Sequence, residues 1–267
     1  MTQRTDAGIP ILMYHEVGPR ETATERYTVS IESFREQLKF LHENGYRAIS
    51  LGQYYKEVMA RDAGVSDKTV IITFDDNNLC HYSISTSILI EFNFRATFFI
   101  VSSFIDTQPD MLTSAQLVEM KNAGMSIESH SHTHRFLSDL NDAELRGELE
   151  ISRRILEDCI QSDVRFISCP GGRYSRRVLD TALDVGYFAV CTSVPGLNDL
   201  VKGQPPKTLN RFLVSATTQL DTFAKIVSSD EDFLRGEILR HRTKSMIKGL
   251  LGNDLYYKLW QRYRKDL

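Results

Sequence analysis

The sequence lacks the features that mark several classes of protein. Its four cysteines include no CxxC pair, and four in 267 residues are too few for a disulfide framework, so we expect reduced thiols. The most apolar window, residues 96–105, is too short and too polar to span a bilayer. Residues 1–10 carry no apolar stretch of the signal-peptide kind. These absences predict a cytoplasmic protein without a transmembrane segment.

An excess of positive charge is also missing. The chain has 32 Lys and Arg against 35 Asp and Glu, a net charge of −3. A protein that binds nucleic acid through its overall charge is therefore excluded, and we expect no nucleic-acid partner. Apolar residues make up 42% and charged residues 25% of the chain, which is typical of a folded globular domain.

The last part of the chain differs in composition from the rest. Residues 235–267 contain nine basic and three acidic side chains, and residues 238–265 show the pattern of two amphipathic helices broken at Gly252-Asn253. We predict a catalytic domain over 1–234 and a basic helical tail over 235–267. The tail either packs on the domain, or residues 238–267 lie on an anionic membrane surface, on its cytoplasmic face.

Strand and helix signals alternate along the first 215 residues. Helix starts are indicated by capping residues, for example Ser30, Ser50, Thr113 and Asn141, and a further helix is predicted over 83–91. Eight short apolar or β-branched runs predict strands, at 9–14, 47–51, 69–74, 95–101, 125–129, 164–169, 187–192 and 209–214. This alternation predicts an α/β fold with a parallel sheet closed into a (β/α) barrel. Active sites of such barrels lie at the C-terminal ends of the strands.

Polar residues follow four of the predicted strands. His15 ends the first, and the pair Asp75-Asp76 ends the strand at 69–74. Two adjacent carboxylates repel each other, so a cation is their natural partner. After the strand at 164–169 comes Pro170-Gly171-Gly172, where glycines let the backbone approach a substrate and expose N–H groups.

The fourth strand end carries three histidines. His130, His132 and His134 lie within five positions, which favours metal binding. Spacing alone does not select the ligands, because an extended strand would place all three on one face, whereas a helical turn would pair only His130 and His134. Two histidines and one aspartate form a triad with open coordination positions, which is typical of a catalytic metal.

Four segments together resemble the polysaccharide deacetylase family, also called carbohydrate esterase family four or the NodB-homology family. They are LMYH at 12–15, TFDD at 73–76, HSHTH at 130–134 and the PGG turn at 170–172, in the family's order and spacing. The resemblance covers residues 9–215 and implies a distorted (β/α) barrel of the polysaccharide deacetylase type.

The family's mechanism implies a role for each matching residue. Asp75 is the general base, and Asp76, His130 and His134 bind the metal, usually Zn²⁺ and in some members Co²⁺, Ni²⁺ or Mn²⁺. His132 is then a bystander. The implied reaction is removal of an N-acetyl or similar N-acyl group from an amino sugar in a glycan or lipid-linked glycan, by attack of a metal-bound water.

Two further residues complete the implied mechanism. The Gly171 N–H helps to bind the oxyanion, and His15 is the candidate acid that protonates the leaving amine. The only late Leu-x-His match, at 239–241, lies in the basic tail and is discounted.

Other departures from the family pattern leave alternatives open. Asn77 stands where the family has glycine, and asparagine tolerates the left-handed conformation. Ser168 stands where the family has the arginine that braces the catalytic aspartate, so we expect this brace to be absent. A catalytically impaired, carbohydrate-binding pseudoenzyme is therefore the alternative function. A non-haem iron oxygenase also uses two histidines and a carboxylate, but the βα alternation disfavours it.

Overall fold

The structure is a computed structural model that describes residues 8–20, 26–60, 68–198, 205–244 and 246. In chain order, its strands are β1 (Ile11–Tyr14), β2 (Glu16–Gly18), β3 (Thr28–Ser30), β4 (Arg47–Ile49), β5 (Thr69–Phe74), β6 (Thr97–Ile100), β7 (Ser126–Ser129), β8 (Phe166–Ser168), β9 (Ala189–Cys191), β10 (Thr208–Leu209) and β11 (Phe212–Leu213). Its first seven α-helices are α1 (Ile31–Glu43), α2 (Leu51–Ala60), α3 (Ser87–Glu91), α4 (Ser114–Asn122), α5 (Asp142–Ile160), α6 (Arg176–Val185) and α7 (Leu220–Val227).

Among the described residues, nine strands form one sheet, and all of its strand pairings are parallel. The order is β10-β9-β8-β7-β6-β5-β1-β11, and β4 pairs with the first half of β5. The two ends of this path, β10 and β11, are consecutive in the chain, so the sheet curls almost onto itself. The predicted distorted (β/α) barrel is confirmed.

The predicted strand at 209–214 is wrong in one respect. It is divided into β10, which pairs with β9, and β11, which pairs with β1, and the break falls at Asn210-Arg211. The break occurs where the curled sheet changes neighbours. It has a functional consequence because it sends the Arg211 side chain into the buried interior of the barrel.

Local sequence signals set the helix starts as expected. The hydroxyl of Ser30 accepts the Ser33 N–H at the start of α1. Reciprocal capping boxes form where the sequence predicted them, between Ser50 and Gln53 before α2 and between Thr113 and Gln116 before α4. These caps satisfy backbone donors that a helix start leaves unpaired.

Two local features differ from the sequence prediction. The helix predicted over 83–91 begins earlier, as a π-helical turn over His81–Thr86 that continues into α3. The chain also forms a small parallel sheet of β2 and β3. The sequences of these two strands show no strong alternation of apolar and polar residues. Both features lie beside the C-terminal end of β1, next to His15.

The basic tail lies largely outside the described residues. Residues 231–244 are helical and Leu234 is buried, whereas Leu239 is 66% exposed. Most of the predicted amphipathic stretch, residues 247–265 together with 245, is not described, so its membrane role stays a prediction. Among the described helices, none combines the length and hydrophobicity that crossing a membrane requires.

Candidate active site

The predicted residues meet at one end of the barrel. His15, Asp75, His130 and Gly171 follow β1, β5, β7 and β8 respectively, and parallel strands deliver their C-terminal ends to the same rim. The site is therefore assembled from four loops, each fixed by the strand that precedes it.

Asp75 and Asp76 point in different directions because the backbone turns between them. Asp75 still donates its backbone N–H to the Tyr14 carbonyl at 3.0 Å, which continues the strand. Asp76 has a φ of 67°, in the left-handed region that is costly for a residue with a side chain. The left-handed residue of this turn is thus Asp76 and not Asn77. The Asn77 amide group instead bonds the Val101 backbone N–H and C=O at 2.6 and 3.0 Å.

Asp76 faces two of the three histidines. Its Oδ1 lies 3.4 Å from His130 Nε2 and 3.2 Å from His134 Nε2. One ligand atom from each of the three residues lies within 4.8 Å of the other two. His130 is buried, whereas Asp76 and His134 are 38% and 37% exposed. A ligand therefore has access to the cluster from solvent.

The ring orientation of His130 suits a metal ligand. Its Nδ1 lies 2.9 Å from the Ser168 carbonyl, and a proton donated there leaves the Nε2 lone pair directed at Asp76. Metal-binding histidines are commonly held in this way by a backbone carbonyl. The three residues thus fit a divalent cation with open coordination positions. Burial lowers the pKa of His130, but the charges of Asp75 and Asp76 and the hydrogen bonds to Asp76 and Ser168 together raise it above its usual value.

His132 lies away from the cluster. Its Nδ1 is 2.9 Å from the Ser102 hydroxyl. The segment is neither strand nor helix, since Ser131 and His134 have φ values of 67° and 62°. Two left-handed residues turn the chain so that His130 and His134 converge and His132 diverges.

A glutamate from α5 fixes this loop. The buried Glu148 carboxylate accepts the backbone N–H groups of His132 and Thr133, at 2.9 and 2.8 Å, and also pairs with the Thr133 hydroxyl. Sequence reasoning did not find Glu148, because it lies 14 residues from the motif on a regular amphipathic helix. We identify it as a residue that positions the loop.

Asp75 is held by an arginine that the sequence analysis missed. Arg211 is completely buried, and its Nη1 and Nη2 lie 2.7 and 2.8 Å from the two carboxylate oxygens of Asp75. The expectation that the brace is absent is wrong. Arg211, at the break between β10 and β11, supplies the guanidinium that the resemblance led us to expect at the position of Ser168.

Ser168 takes part in the same arrangement. Its hydroxyl donates to Asp75 Oδ2 at 2.9 Å and accepts from Arg211 Nη2 at 2.7 Å. Burial raises the pKa of Asp75, but the charge and hydrogen bonds of Arg211, together with the charges of His130 and His15, outweigh burial and lower this pKa to about 2. Asp75 is therefore ionised at any working pH.

The remaining two predicted residues flank this centre. Gly171 has a φ of 62° within the turn Pro170–Gly172, and among the described residues no acceptor takes its N–H. His15 has its Nδ1 buried without a hydrogen-bond partner in the described part of the chain. Burial lowers the pKa of His15, while the charges of Asp75 and Asp76 oppose that shift.

Comparison with known proteins gives consistent matches. The sequence profile of the family described as Polysaccharide deacetylase matches residues 62–190. The protein named "Putative polysaccharide deacetylase YxkH", from Bacillus subtilis (strain 168), is 30% identical over 223 residues, which are 84% of this chain and 77% of the relative. The protein named "Chitooligosaccharide deacetylase", from Bradyrhizobium sp. (strain ANU 289), is 31% identical over 144 residues, which are 50% of this chain and 63% of that relative.

A solved structure is similar over nearly its whole length. Streptococcus pyogenes deacetylase PplD, in complex with acetate, aligns with a TM-score of 0.75 and 26% identity. The alignment covers 84% of this chain and 99% of that one. The similarity thus extends from the short motifs to the arrangement of the barrel.

Proposed function

The chain belongs to the polysaccharide deacetylase family, and we propose that it is a metal-dependent hydrolase that removes N-acetyl groups from amino sugars of a glycan. The observation that carries this proposal is the cluster of Asp76, His130 and His134, with an ionised carboxylate, Asp75, on the adjacent residue. Amide hydrolysis needs an activated water, a site for the developing oxyanion and a proton for the leaving amine. The rim of the barrel offers a group for each.

Asp76, His130 and His134 would hold the metal, for which Zn²⁺ is the best candidate from the donor set of two imidazoles and one carboxylate. When bound, such a cation supplies a Lewis acid that lowers the pKa of a water ligand and polarises an acyl oxygen. The exposed sides of Asp76 and His134 leave room for water and substrate.

The chain's own residues supply the proton transfers. Asp75 is ionised and accepts the proton of the attacking water. Because Arg211 keeps the pKa of Asp75 low, the carboxylate holds this proton only weakly and releases it readily. Gly171 donates its N–H to the acyl oxygen as negative charge develops there. His15 gives a proton to the nitrogen as the C–N bond breaks, which produces acetate and a free amine.

The pairing of Asp75 with Arg211 weakens the pseudoenzyme alternative. That alternative rested on the missing arginine at Ser168 and on the missing late motif, and the first of these grounds falls because Arg211 pairs with Asp75.

Paired variants of the two aspartates test the proposal. Asp75→Asn should keep metal stoichiometry close to wild type and lose about 10²–10⁴-fold in acetate release, because the amide cannot accept the proton. Asp76→Asn should lose metal affinity, and excess metal should restore part of its activity. The measurements are elemental analysis and acetate release from N-acetylated glycans with added Zn²⁺, Co²⁺, Ni²⁺ or Mn²⁺.

One control is needed for Asp75→Asn, because it leaves Arg211 buried without a counter-charge. Urea unfolding shows whether the variant is folded under the assay conditions, and the double variant Asp75→Asn/Arg211→Met removes the uncompensated charge. If a folded Asp75→Asn protein releases acetate at the wild-type rate, Asp75 is not the base and the proposed mechanism fails.

A further inference from the structure

An exposed aromatic ring and an arginine stack on each other at the active-site rim. Phe136 lies two residues after His134 and is 41% exposed. The guanidinium carbon of Arg173, in the loop after β8, lies 3.9 Å from the centre of the Phe136 ring. The stack thus joins the loops that follow two neighbouring strands.

The stack is held in place from two sides. Arg173 Nη1 donates to the Asp139 carboxylate at 2.9 Å. Gly171 lies so close that a Cβ at that position would come within 2.5 Å of Phe136 Cε1. The ring therefore abuts the backbone that we assign to the oxyanion, and Gly171 has a packing reason as well as a conformational one to lack a side chain.

The Arg173 guanidinium also has N–H groups that are available to a ligand. Among the described residues, only the Nη1 group of Arg173 has an acceptor, so Nε and Nη2 have no protein partner. A fixed aromatic face next to free N–H donors is chemically suited to a sugar. The guanidinium covers one face of the Phe136 ring, so the C–H groups of a pyranose pack on the part of the ring that is exposed to solvent. The hydroxyl or acetyl oxygens of the sugar accept from the guanidinium.

We propose that Phe136 and Arg173 form a platform for the sugar that neighbours the one being deacetylated. The inference rests on the proposed function and extends it, because it makes the substrate an oligomer or polymer of N-acetylated amino sugars. A single amino sugar would fill the metal site and leave the platform empty. Binding energy from the platform should therefore appear only with longer substrates.

The chain contains a matched control at the opposite end of the barrel. Phe188 is 50% exposed and lies under the Arg165 guanidinium, at 5.4 Å from the ring centre. It directly precedes β9, so it lies at the N-terminal end of a strand, away from the rim. Phe188→Ala removes a similar exposed ring without touching the proposed platform.

The test compares kcat and KM for N-acetylglucosamine and its β-1,4- and β-1,6-linked oligomers of two to five sugars. For wild type, kcat/KM should rise with length. In Phe136→Ala, kcat/KM should fall about tenfold more for the tetramer than for the single sugar, mainly because KM rises. A tenfold difference corresponds to the loss of one good contact. Arg173→Met should show the same trend. Phe136→Tyr should restore the rise of kcat/KM with substrate length, and Phe188→Ala should match wild type at every length.

Two results would overturn the platform. If Phe136→Ala lowers kcat by the same factor at every length, the ring only supports the Gly171 loop. If it changes nothing, the ring has no part in the reaction.

Should wild type release no acetate from any oligomer, the proposed function fails, and calorimetric titration with the same oligomers decides the platform separately. Tighter binding of longer oligomers that Phe136→Ala abolishes would support it, and equal binding by both proteins would refute it.

Discussion

Removing the Arg211 guanidinium should affect both the stability of the fold and the titration of Asp75. In Arg211→Met a thioether of similar length replaces a side chain that donates two hydrogen bonds to Asp75 and one each to the Thr192 carbonyl and the hydroxyls of Ser168 and Thr73. Both charged partners are at most 4% exposed. Losing one member of such a buried pair typically costs about 3–5 kcal/mol of unfolding free energy. Urea unfolding, monitored by circular dichroism, measures this loss.

The second consequence concerns the pH dependence of the reaction. In wild type the titration of Asp75, with a pKa of about 2, lies below any practical assay. Burial raises this pKa, and without Arg211 only weaker interactions oppose burial. The acidic limb of the kcat/KM profile should therefore move upward, so that the variant loses more activity at pH 5 than at pH 8. Metal stoichiometry should stay near wild type, because Arg211 contacts none of the three proposed ligands.

A surface pair provides the control. Arg35 also makes two hydrogen bonds to a carboxylate, that of Glu91, but both side chains are about half exposed. Exposed pairs contribute about 0–1 kcal/mol, so Arg35→Met should be close to wild type in stability and in pH profile. The reasoning is refuted if Arg211→Met unfolds at the same urea concentration as Arg35→Met and keeps the wild-type acidic limb.

Two further predictions follow from the same structure. His130→Ala should remove bound metal and His132→Ala should retain it, because His130 faces Asp76 and His132 does not; elemental analysis with the opposite pattern would refute the ligand assignment. Glu128 is buried, and burial raises its pKa from 4.5 to about 7. A raised carboxyl pKa means that the folded state binds more protons than the unfolded state, so this residue's contribution to stability falls as pH rises from about 4.5 to 7. The unfolding free energy of Glu128→Gln relative to wild type should therefore rise by up to about 3 kcal/mol as the pH increases over that interval. Urea unfolding at several pH values measures this difference, and a difference that does not change with pH would contradict the prediction.

The sequence predicts those parts of the site that lie directly after a strand. Asp75, His130 and Gly171 each come after a short buried strand, and the alternation of strands and helices brings such positions to one rim. The choice among the three histidines depended on backbone conformation. Spacing cannot show that Ser131 is left-handed, and it is this turn that separates His132 from the other two.

Arg211 could not be predicted in the same way. It lies in the run LNRFLV, where an apolar pattern with one arginine indicates a strand with an outward-facing charge. Its partner Asp75 is 136 residues away in sequence. Only the break between β10 and β11, which follows from the curl of the whole sheet, turns the side chain inward. Glu148 was missed for a related reason, since its polar partners are backbone N–H groups of a distant loop.

The arrangement around Asp75 explains why Ser168 and Arg211 belong together. The space beside the carboxylate is sealed from solvent, so it accepts one guanidinium as a counter-charge and leaves a second one uncompensated. A small residue at 168 makes room for the arginine from 211, and its hydroxyl bridges both partners. An arginine at 168 would compete for the same two oxygens. The physical requirement is therefore one positive charge against Asp75, and two different strands of the barrel end close enough to supply it.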